Sequence, residues 1–328
     1  MSVLTSLFCF WATLPGPPGL TISGGWFQAF PVTSCNGYLD PMRDVTFQLY
    51  QGTDVTTQRQ LLARDDASIR LSGFDPKLPT VFYIHGFLDY PDAEEVQIMK
   101  QAYMTRGGHN FIVVNWRRLA AGPWYPTAVA NISPVGKHIA TLLDSLATTS
   151  GPLKSIHLIG HSLGSHIAGV AANNTKVAKV SRITGLDPAA VWINLDRLED
   201  RLDPGDAPFV DLIHTDGGNF GLDISIGHAD FYPNGGKATQ PGCGLFEMPA
   251  SLNFLGRVFC SHRRSYWLYA ASVVRELSFM AVRCESWDSY ISGTCSDNAD
   301  DNQIPMGYAT PISARGKYYL KVNEVPPY

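Results

Sequence analysis

The chain has 328 residues, 45% of them hydrophobic, and a formal net charge of −4 at pH 7. This length is enough for one large α/β domain, or for such a domain with a small appendage. The slightly acidic balance and the lack of a basic run argue against a nucleic-acid partner. They also give no electrostatic reason for membrane binding, so any contact with lipid must be apolar.

The N-terminal segment carries no charged residue before Asp40 and opens with the apolar run Val3–Leu14. That run is too short to span a bilayer, which takes about 20 residues. It resembles the core of a secretory signal, although the usual N-terminal lysine or arginine is missing. The alternative is an ordinary buried or unstructured N-terminus. We expect residues 1–24 to be a signal peptide and residues 25–328 to form one secreted, extracellular domain.

The cysteines and two glycosylation sequons are consistent with secretion. The cysteines form two closely spaced pairs that suit local disulfides, Cys243 with Cys260 and Cys284 with Cys295. Cys9 would leave with the signal, so Cys35 has no assigned partner. The sequons are Asn131-Ile132-Ser133 and Asn173-Asn174-Thr175.

Buried strands alternate with helices along the rest of the chain. The predicted strands are Val45–Tyr50, Leu78–His85, Phe111–Trp116, Ser155–Ile159, Val180–Leu186, Phe209–His214 and an edge strand at Lys317–Val322. The predicted helices are Ala93–Thr105, Pro134–Thr148 and Ser165–Ala172. Alternation of this kind predicts a mostly parallel sheet with helices on both faces.

The segment Gly160–Gly164 is a G-x-S-x-G turn between a predicted strand and a predicted helix. A serine at such a corner is held on a strained backbone with its hydroxyl exposed above the sheet. The positive end of the following helix dipole also favours a developing oxyanion. Ser162 is therefore the candidate nucleophile, the alternative being a glycine-rich turn with an idle serine.

A serine nucleophile needs a base, and the base needs an orienting carboxylate. In this type of fold the chain order is serine, acid, histidine. Asp187 is the preferred acid because it follows a buried strand and begins an Asp-Pro turn. Asp211 is the second choice, since its place inside a strand suits a structural polar contact.

His262 is the preferred base. It follows Cys260 and precedes an apolar helix, where a disulfide would fix an exposed loop. The other histidines are assigned local or structural roles, namely His214, His228, His161 and His85. The oxyanion hole should use the backbone N–H of Leu163 and a donor from the segment His85-Gly86-Phe87.

Several stretches together resemble the pancreatic lipase family of secreted lipid hydrolases, in particular its insect members. They span Thr80 to Tyr269 and are YIHGF, IHLIGHSLGSHIAG, ITGLDPA, RLDPGDAPFVDLIHTDG, GHADFYPNGG, PGC and CSHRRSYWLY. The resemblance implies an α/β-hydrolase fold and the triad Ser162, Asp187 and His262. It also implies that Phe87 and Leu163 supply the oxyanion hole.

The resemblance further implies that the loop bracketed by Cys243 and Cys260 is a lid that opens at a lipid surface. Its apolar residues suit such a contact, the alternative being a loop packed on the core: Leu245, Phe246, Met248, Leu252, Phe254, Leu255, Val258 and Phe259. The lid and the loop between His214 and His228 are shorter than in the large triacylglycerol lipases. In the family, short loops accompany phospholipase A1-type activity. We expect no C-terminal β-sandwich and no colipase.

The segment Leu198–Asp206 resembles the calcium loop of the family. Asp203 and Asp206 would supply side-chain oxygens, and Leu198 and Arg201 main-chain oxygens, a donor set that suits calcium. The alternative is a plain Asp-Pro-Gly-Asp surface turn. Such an ion would be structural, and we expect no cofactor to be required.

These features predict a secreted serine hydrolase that cleaves acyl esters of lipids at a membrane, micelle or droplet interface. The rival hypothesis is a non-catalytic lipid carrier or yolk-type storage protein on the same scaffold, because a fold does not fix a function. Carriers of that kind usually lack the serine or one of its partners, whereas this chain has all three candidate residues.

Overall fold

The structure is a computed structural model that describes residues 40–121, 125–244, 254–295 and 303–324. Residues 1–24, predicted as a signal peptide, and Cys35 lie outside these ranges, as do the lid residues Leu245, Phe246, Met248 and Leu252. Among the helices of the described ranges, none combines the length and apolar character that crossing a membrane requires.

The described residues form a sheet of 11 strands. The strands are β1 Thr46–Tyr50, β2 Arg59–Leu61, β3 Thr80–Ile84, β4 Asn110–Asn115, β5 Ile156–His161, β6 Arg182–Leu186, β7 Val210–Ile213, β8 Ala229–Pro233, β9 Met280–Arg283, β10 Gln303–Pro305 and β11 Gly316–Leu320. Their order across the sheet is β10-β9-β11-β8-β7-β6-β5-β3-β4-β1-β2.

The helices of the described residues are α1 Pro41–Asp44, α2 Asp66–Leu71, α3 Glu94–Arg106, α4 Tyr125–Ala130, α5 Ile132–Ser150, α6 Leu163–Asn174, α7 Phe254–Val258, α8 Cys260–Val274 and α9 Trp287–Ile291. Short 3₁₀ turns also lie at Leu198–Asp200 and Pro204–Asp206.

The central strands β4, β3, β5, β6, β7, β8 and β11 are parallel, and the pairs formed by β1, β2, β9 and β10 are antiparallel. Parallel strands are covered on both faces because their crossover helices pack there. Strand β3 shows this arrangement residue by residue. Phe82 and Ile84 join the apolar cluster that contains residues of α5 and α6, whereas Val81 and Tyr83 join the cluster that contains residues of α3 and α8. The predicted α/β-hydrolase fold is confirmed.

One prediction about the sheet is wrong. The C-terminal strand β11 is not an edge strand, because it lies between β8 and β9. The two short strands β9 and β10 extend the sheet beyond it, and their 4 and 3 residues are too few to give a clear alternating pattern.

The structure pairs Cys243 with Cys260 and Cys284 with Cys295, which confirms both predicted disulfides. The first bond joins the two ends of the predicted lid segment and lies two residues before His262. It therefore fixes the start of α8 to the chain that precedes the segment.

Candidate active site

Three strand ends meet at one edge of the sheet and bring the candidate residues together. Strand β5 ends immediately before Ser162, β6 ends immediately before Asp187, and β3 ends before the segment His85-Gly86-Phe87. The strands are parallel and in register, with Ile84 opposite Gly160 and His161 opposite Leu186. Since the carboxyl ends of parallel strands share an edge, this edge is where a site is expected.

Ser162 occupies the sharp turn between β5 and α6. Its backbone has φ 56° and ψ −121°, a conformation that L-residues adopt only under constraint. Its N–H donates to the carbonyl of Leu186 at 3.0 Å, which fixes the turn against β6. The side chain is 7% exposed. The predicted strained corner is therefore present, although the helix begins at Leu163, two residues earlier than predicted.

The two glycines of the turn allow a close approach of main chains. A Cβ on Gly160 would lie 2.2 Å from the carbonyl carbon and oxygen of Gly164. A Cβ on Gly164 would lie 2.1 Å from the carbonyl oxygen of Ile84. The turn can pack against β3 only because neither position carries a side chain.

Asp187 is fully buried, and its carboxylate is fixed by hydrogen bonds on both oxygens. Oδ1 accepts the backbone N–H of Thr215 at 2.7 Å and that of Asp216 at 3.0 Å. Oδ2 lies 2.5 Å from Nδ1 of His262. A Cβ on Gly221 would lie 2.5 Å from both carboxylate oxygens, so the backbone of this glycine packs directly against the carboxylate. Buried carboxylates need such partners to remain charged.

His262 lies in the first turn of α8 and is 5% exposed. The prediction that it precedes the helix in an exposed loop is wrong, because the helix already begins at Cys260 and Phe220 and Phe259 pack beside it. The ring centroids of these two residues lie 6.0 and 6.3 Å from that of His262. Because Nδ1 bonds to Asp187, Nε2 is the ring nitrogen left for another partner.

The rejected candidates have other contacts. Asp211 receives Nε and Nη2 of Arg182, each at 2.7 Å, which is the structural role expected for it. His214 lies 2.8 Å from Asp230, and Nδ1 of His228 accepts the N–H of Val210 at 3.0 Å. His85 stacks on Trp116 at 5.6 Å.

The segment after β3 lies directly beside Ser162. A Cβ on Gly86 would lie 3.1 Å from Cβ of Ser162. Leu88 has φ 68°, and its N–H donates to the carbonyl of Ala120 at 3.0 Å, which holds the turn. The half-buried ring of Phe87 meets the ring of Tyr125 edge-on at 5.0 Å. The segment predicted to supply the second oxyanion donor is therefore a fixed turn beside Ser162.

A buried polar cluster lies behind this edge, formed by Asp89, Glu95 and His161. Their donor atoms lie within 4.8 Å of one another. The donor atoms of a second group, Asp187, Asp216 and His262, also lie within 4.8 Å of one another. The closest approaches are 2.6 Å between Glu95 and His161 and 2.5 Å between Asp187 and His262. Ligands of a tetrahedral zinc ion lie about 3.3 Å apart, given bonds of about 2.0 Å. Both distances are shorter than this separation, so neither pair suits a tetrahedral zinc ion, and the contact between Asp187 and His262 is a hydrogen bond.

The segment predicted as a calcium loop is tightly folded. Asp203 Oδ1 accepts the N–H of Gly205 at 2.7 Å, and Asp206 Oδ2 accepts the N–H of Asp203 at 2.9 Å. One oxygen of each carboxylate remains for a cation. Burial, together with the charge of Asp203, raises the pKa of Asp206 to about 7, so a cation would relieve an unfavourable charge. A Cβ on Gly169 would lie 2.5 Å from Asp206 Oδ2. The oxygen donors fit calcium.

Comparison with known proteins decides the family. A profile of the lipase family matches residues 30–328. The chain belongs to the pancreatic lipase family. It is 37% identical over 301 residues to the pancreatic triacylglycerol lipase of Cavia porcellus, covering 86% of this chain and 64% of that protein. It is also 36% identical over 298 residues to inactive pancreatic lipase-related protein 1 of Homo sapiens, covering 85% and 63%.

Among solved structures, an α/β serine hydrolase without a lid from Xanthomonas campestris matches with a TM-score of 0.31 at 14% identity, over 43% of this chain and 59% of that one. The chain spans about three fifths of the length of the curated lipase relatives. Since those relatives include one that is named inactive, membership alone does not establish activity.

Sequence patterns did not indicate Glu95 or Gly221. Glu95 is the second of two glutamates in the first turn of α3, where acidic residues commonly stabilise the helix dipole. The available signal was its spacing from Met99, which puts both residues on one helix face. Gly221 lies in a loop with other glycines, and nothing in its local sequence predicts contact with Asp187.

The turn at Ser162 gives a prediction about stability. In Gly160→Ala the new Cβ would meet main-chain atoms that cannot move aside, so we expect the free energy of unfolding to fall by at least about 3 kcal/mol. The matched control is Gly151→Ala, where φ is +84° but nothing lies within 4 Å. Strain alone should then cost about 1 kcal/mol. Urea unfolding of both variants measures the difference, and equal losses would contradict the packing argument.

Proposed function

We propose that the protein is a serine hydrolase that cleaves acyl esters of lipids through an acyl-enzyme. The observation that carries this proposal is the 2.5 Å contact between Asp187 and His262 at the sheet edge where Ser162 lies on its strained turn. The relatives named triacylglycerol lipases support the substrate class. The rival, a non-catalytic carrier on this scaffold, has in its favour a relative that is named inactive, whereas this chain has all three candidate residues.

In the proposed reaction, Ser162 Oγ attacks the ester carbonyl carbon while Nε2 of His262 takes the hydroxyl proton. The bond to the leaving alcohol then breaks, and the alcohol receives that proton. Water repeats the sequence on the acyl-enzyme and releases the fatty acid. Asp187 keeps Nδ1 of His262 protonated and stabilises the imidazolium, which its own bonds to Thr215 and Asp216 allow it to do without moving.

The negative charge on the carbonyl oxygen needs donors that are already in place. We assign them to the backbone N–H groups of Leu163 and Phe87. Leu163 is the first residue of α6, so its N–H belongs to the positive end of the helix dipole. Phe87 follows Gly86, where an added Cβ would lie 3.1 Å from Cβ of Ser162.

Phospholipids are the lipid class we favour, in a phospholipase A1-type reaction. The short loop between β7 and β8 that the sequence predicts supports this view, and its Phe220 is held close to the site. The N–H of Ala190 donates to the carbonyl of Phe220 at 2.8 Å, and the Phe220 ring packs on Phe259 at 4.5 Å. Less cover over the entrance leaves room for a bulky polar headgroup.

We infer that the protein is secreted. Two disulfides indicate an oxidising compartment. Of the two sequons, the one at Asn173 is exposed, near the end of α6. The side-chain amide of Asn131 instead donates to the carbonyl of Leu119 at 3.1 Å, which makes this residue a poor acceptor of a glycan.

A lipid surface is the proposed partner of the loop that follows Asp187. This loop exposes four apolar side chains, Val191, Trp192, Leu195 and Leu198, of which Trp192 is 64% exposed. Trp192 is also held at φ 60°, an unusual conformation for a bulky residue. Its ring lies 6.2 Å from that of Tyr125, which contacts Phe87. The patch therefore adjoins the proposed oxyanion turn, and a tryptophan suits a membrane interface.

The triad predicts a clear pattern of activity loss. Ser162→Ala should abolish acyl release from phosphatidylcholine and triolein. Asp187→Asn should lower the rate by about 10⁴-fold because the histidine is no longer held in the correct tautomer. The matched variant Asp211→Asn should lose stability but keep the rate per folded molecule. Fluorophosphonate labelling of Ser162 counts active sites, and turnover equal to wild type in Ser162→Ala would refute the proposal.

Calcium should raise the melting temperature. At a concentration of about 100 times its Kd, a ligand adds about 2.7 kcal/mol, which corresponds to several degrees for a chain of this size. Asp206→Asn should remove the rise, whereas Asp200→Asn, in the neighbouring turn, should keep it. Scanning calorimetry with calcium and after treatment with a chelator measures the effect. An unchanged melting temperature in the wild-type protein would show that the loop is a plain turn.

The patch at Trp192 should contribute to vesicle binding. Burial of a large apolar side chain is worth about 1.5–3 kcal/mol, so Trp192→Ser should weaken binding about tenfold or more. Sedimentation with phosphatidylcholine vesicles, in the Ser162→Ala background so that no lipid is consumed, gives the affinity. Leu277→Ser, at another site that is 70% exposed, is the control. Equal affinities for the two variants would contradict the proposed interface.

A further inference from the structure

Glu95 is a buried carboxyl group with no part in the triad. It lies in the first turn of α3 and is 2% exposed. An apolar residue at this position would pack against the sheet without the cost of burying a carboxyl group. The contacts of its two oxygens indicate why a glutamate is present.

One oxygen of Glu95 holds the proposed oxyanion turn. Oε1 accepts the backbone N–H of Gly86 at 3.2 Å. Gly86 immediately precedes Phe87. A Cβ added to Gly86 would lie 3.1 Å from Cβ of Ser162. A small displacement of Gly86 would therefore move the Phe87 N–H relative to the serine. Oxyanion donors act over a narrow range of distance, so this position matters for the rate.

The other oxygen of Glu95 supports the ring behind His262. Oε2 lies 2.6 Å from Nδ1 of His161. The ring of His161 packs on that of His262 with centroids 4.7 Å apart, and it meets the ring of Tyr266 edge-on at 5.3 Å. His161 is 3% exposed, so it has little freedom to turn away. Glu95 thereby fixes a surface against which the ring of His262 rests.

We propose that Glu95 is a positioning residue that holds the turn at Gly86 and, through His161, the imidazole of His262 in register with Ser162. This role rests on the ester hydrolysis proposed above. It acts on two groups that stabilise the transition state and on none that binds the rest of the substrate. Loss of Glu95 should therefore lower kcat and leave KM nearly unchanged.

The charge on Glu95 should also matter. Burial raises the pKa of Glu95 to about 7, and burial lowers the pKa of His161 to about 4, so His161 is neutral. Ionised Glu95 is the stronger acceptor for the N–H of Gly86. The active form should thus be the ionised one. The charged and titratable groups that face Glu95 are Tyr83, Asp89, His161, His262, Arg263 and Tyr266.

The test compares Glu95→Ala and Glu95→Gln with Glu94→Gln, the same change at the exposed neighbouring position. Rates of hydrolysis are divided by the number of sites labelled with fluorophosphonate, so that unfolded protein does not count. We expect Glu95→Ala to lower kcat per site by about 10- to 100-fold with KM within about twofold. Glu95→Gln should recover part of the rate, because an amide oxygen still accepts from Gly86. Glu94→Gln should match wild type.

The pH profile separates positioning from a merely structural role. In wild type, the ionisation of Glu95 should add to the rise of log kcat on the acid side of the profile. In Glu95→Gln this contribution is absent, so the acid side should rise with a smaller slope than in wild type. The pH profile needs only the Glu95→Gln variant. It therefore tests the positioning role even if Glu95→Ala does not fold.

Two outcomes would overturn the proposal. Glu95 variants that match Glu94→Gln in kcat per site and keep the slope of wild type would reject the role of Glu95 alone. A wild-type protein that labels with no fluorophosphonate and turns over no ester would reject the proposed function, and the role of Glu95 with it. The wild-type measurement therefore tells the two failures apart.

Discussion

The hydrogen bond between Asp187 and His262 joins the end of a central strand to a helix on one face of the sheet. Asp187 directly follows β6, whereas His262 belongs to α8, a helix that packs against α3 on one face of the sheet. A buried carboxylate is stable only when its oxygens are satisfied. Here Thr215, Asp216 and His262 supply the three donors, so the loop after β7, the end of β6 and the start of α8 depend on one another.

The same edge is built from main chains that approach unusually closely. Gly86, Gly160, Gly164 and Gly221 each lie where a Cβ would come within 3.1 Å of another group, and those groups are Ser162, the backbone of α6, the end of β3 and the Asp187 carboxylate. Interiors this dense do not deform gradually. Backbone contacts therefore set the positions of the candidate residues, and with them the positions of their side chains.

The sequence predicted those parts of the fold and of the site that depend on local patterns. The β5–turn–α6 unit follows from an apolar strand, a G-x-S-x-G turn and a helix of small residues, and the choice of Asp187 over Asp211 follows from the end of a strand. The interior position of β11 depends instead on two short strands far along the chain. The burial of His262 depends on Phe220 and Phe259, and the role of Glu95 depends on Gly86 and His161. These contacts join distant parts of the fold, so the local hydrophobic pattern does not predict them.

The burial of Glu95 also lowers the stability of the fold near neutral pH. A pKa raised from 4.5 to about 7 means that the folded chain holds the proton more tightly than the unfolded chain does. Stability is therefore greatest below the unfolded pKa and falls as pH rises towards 7, by about 3 kcal/mol in total for a group at this depth. An exposed tryptophan at position 192 and a strained backbone at Ser162 add to the cost at the same edge. Unfavourable features concentrated at one place indicate a requirement other than stability. Here they surround the groups that would bind and cleave an ester.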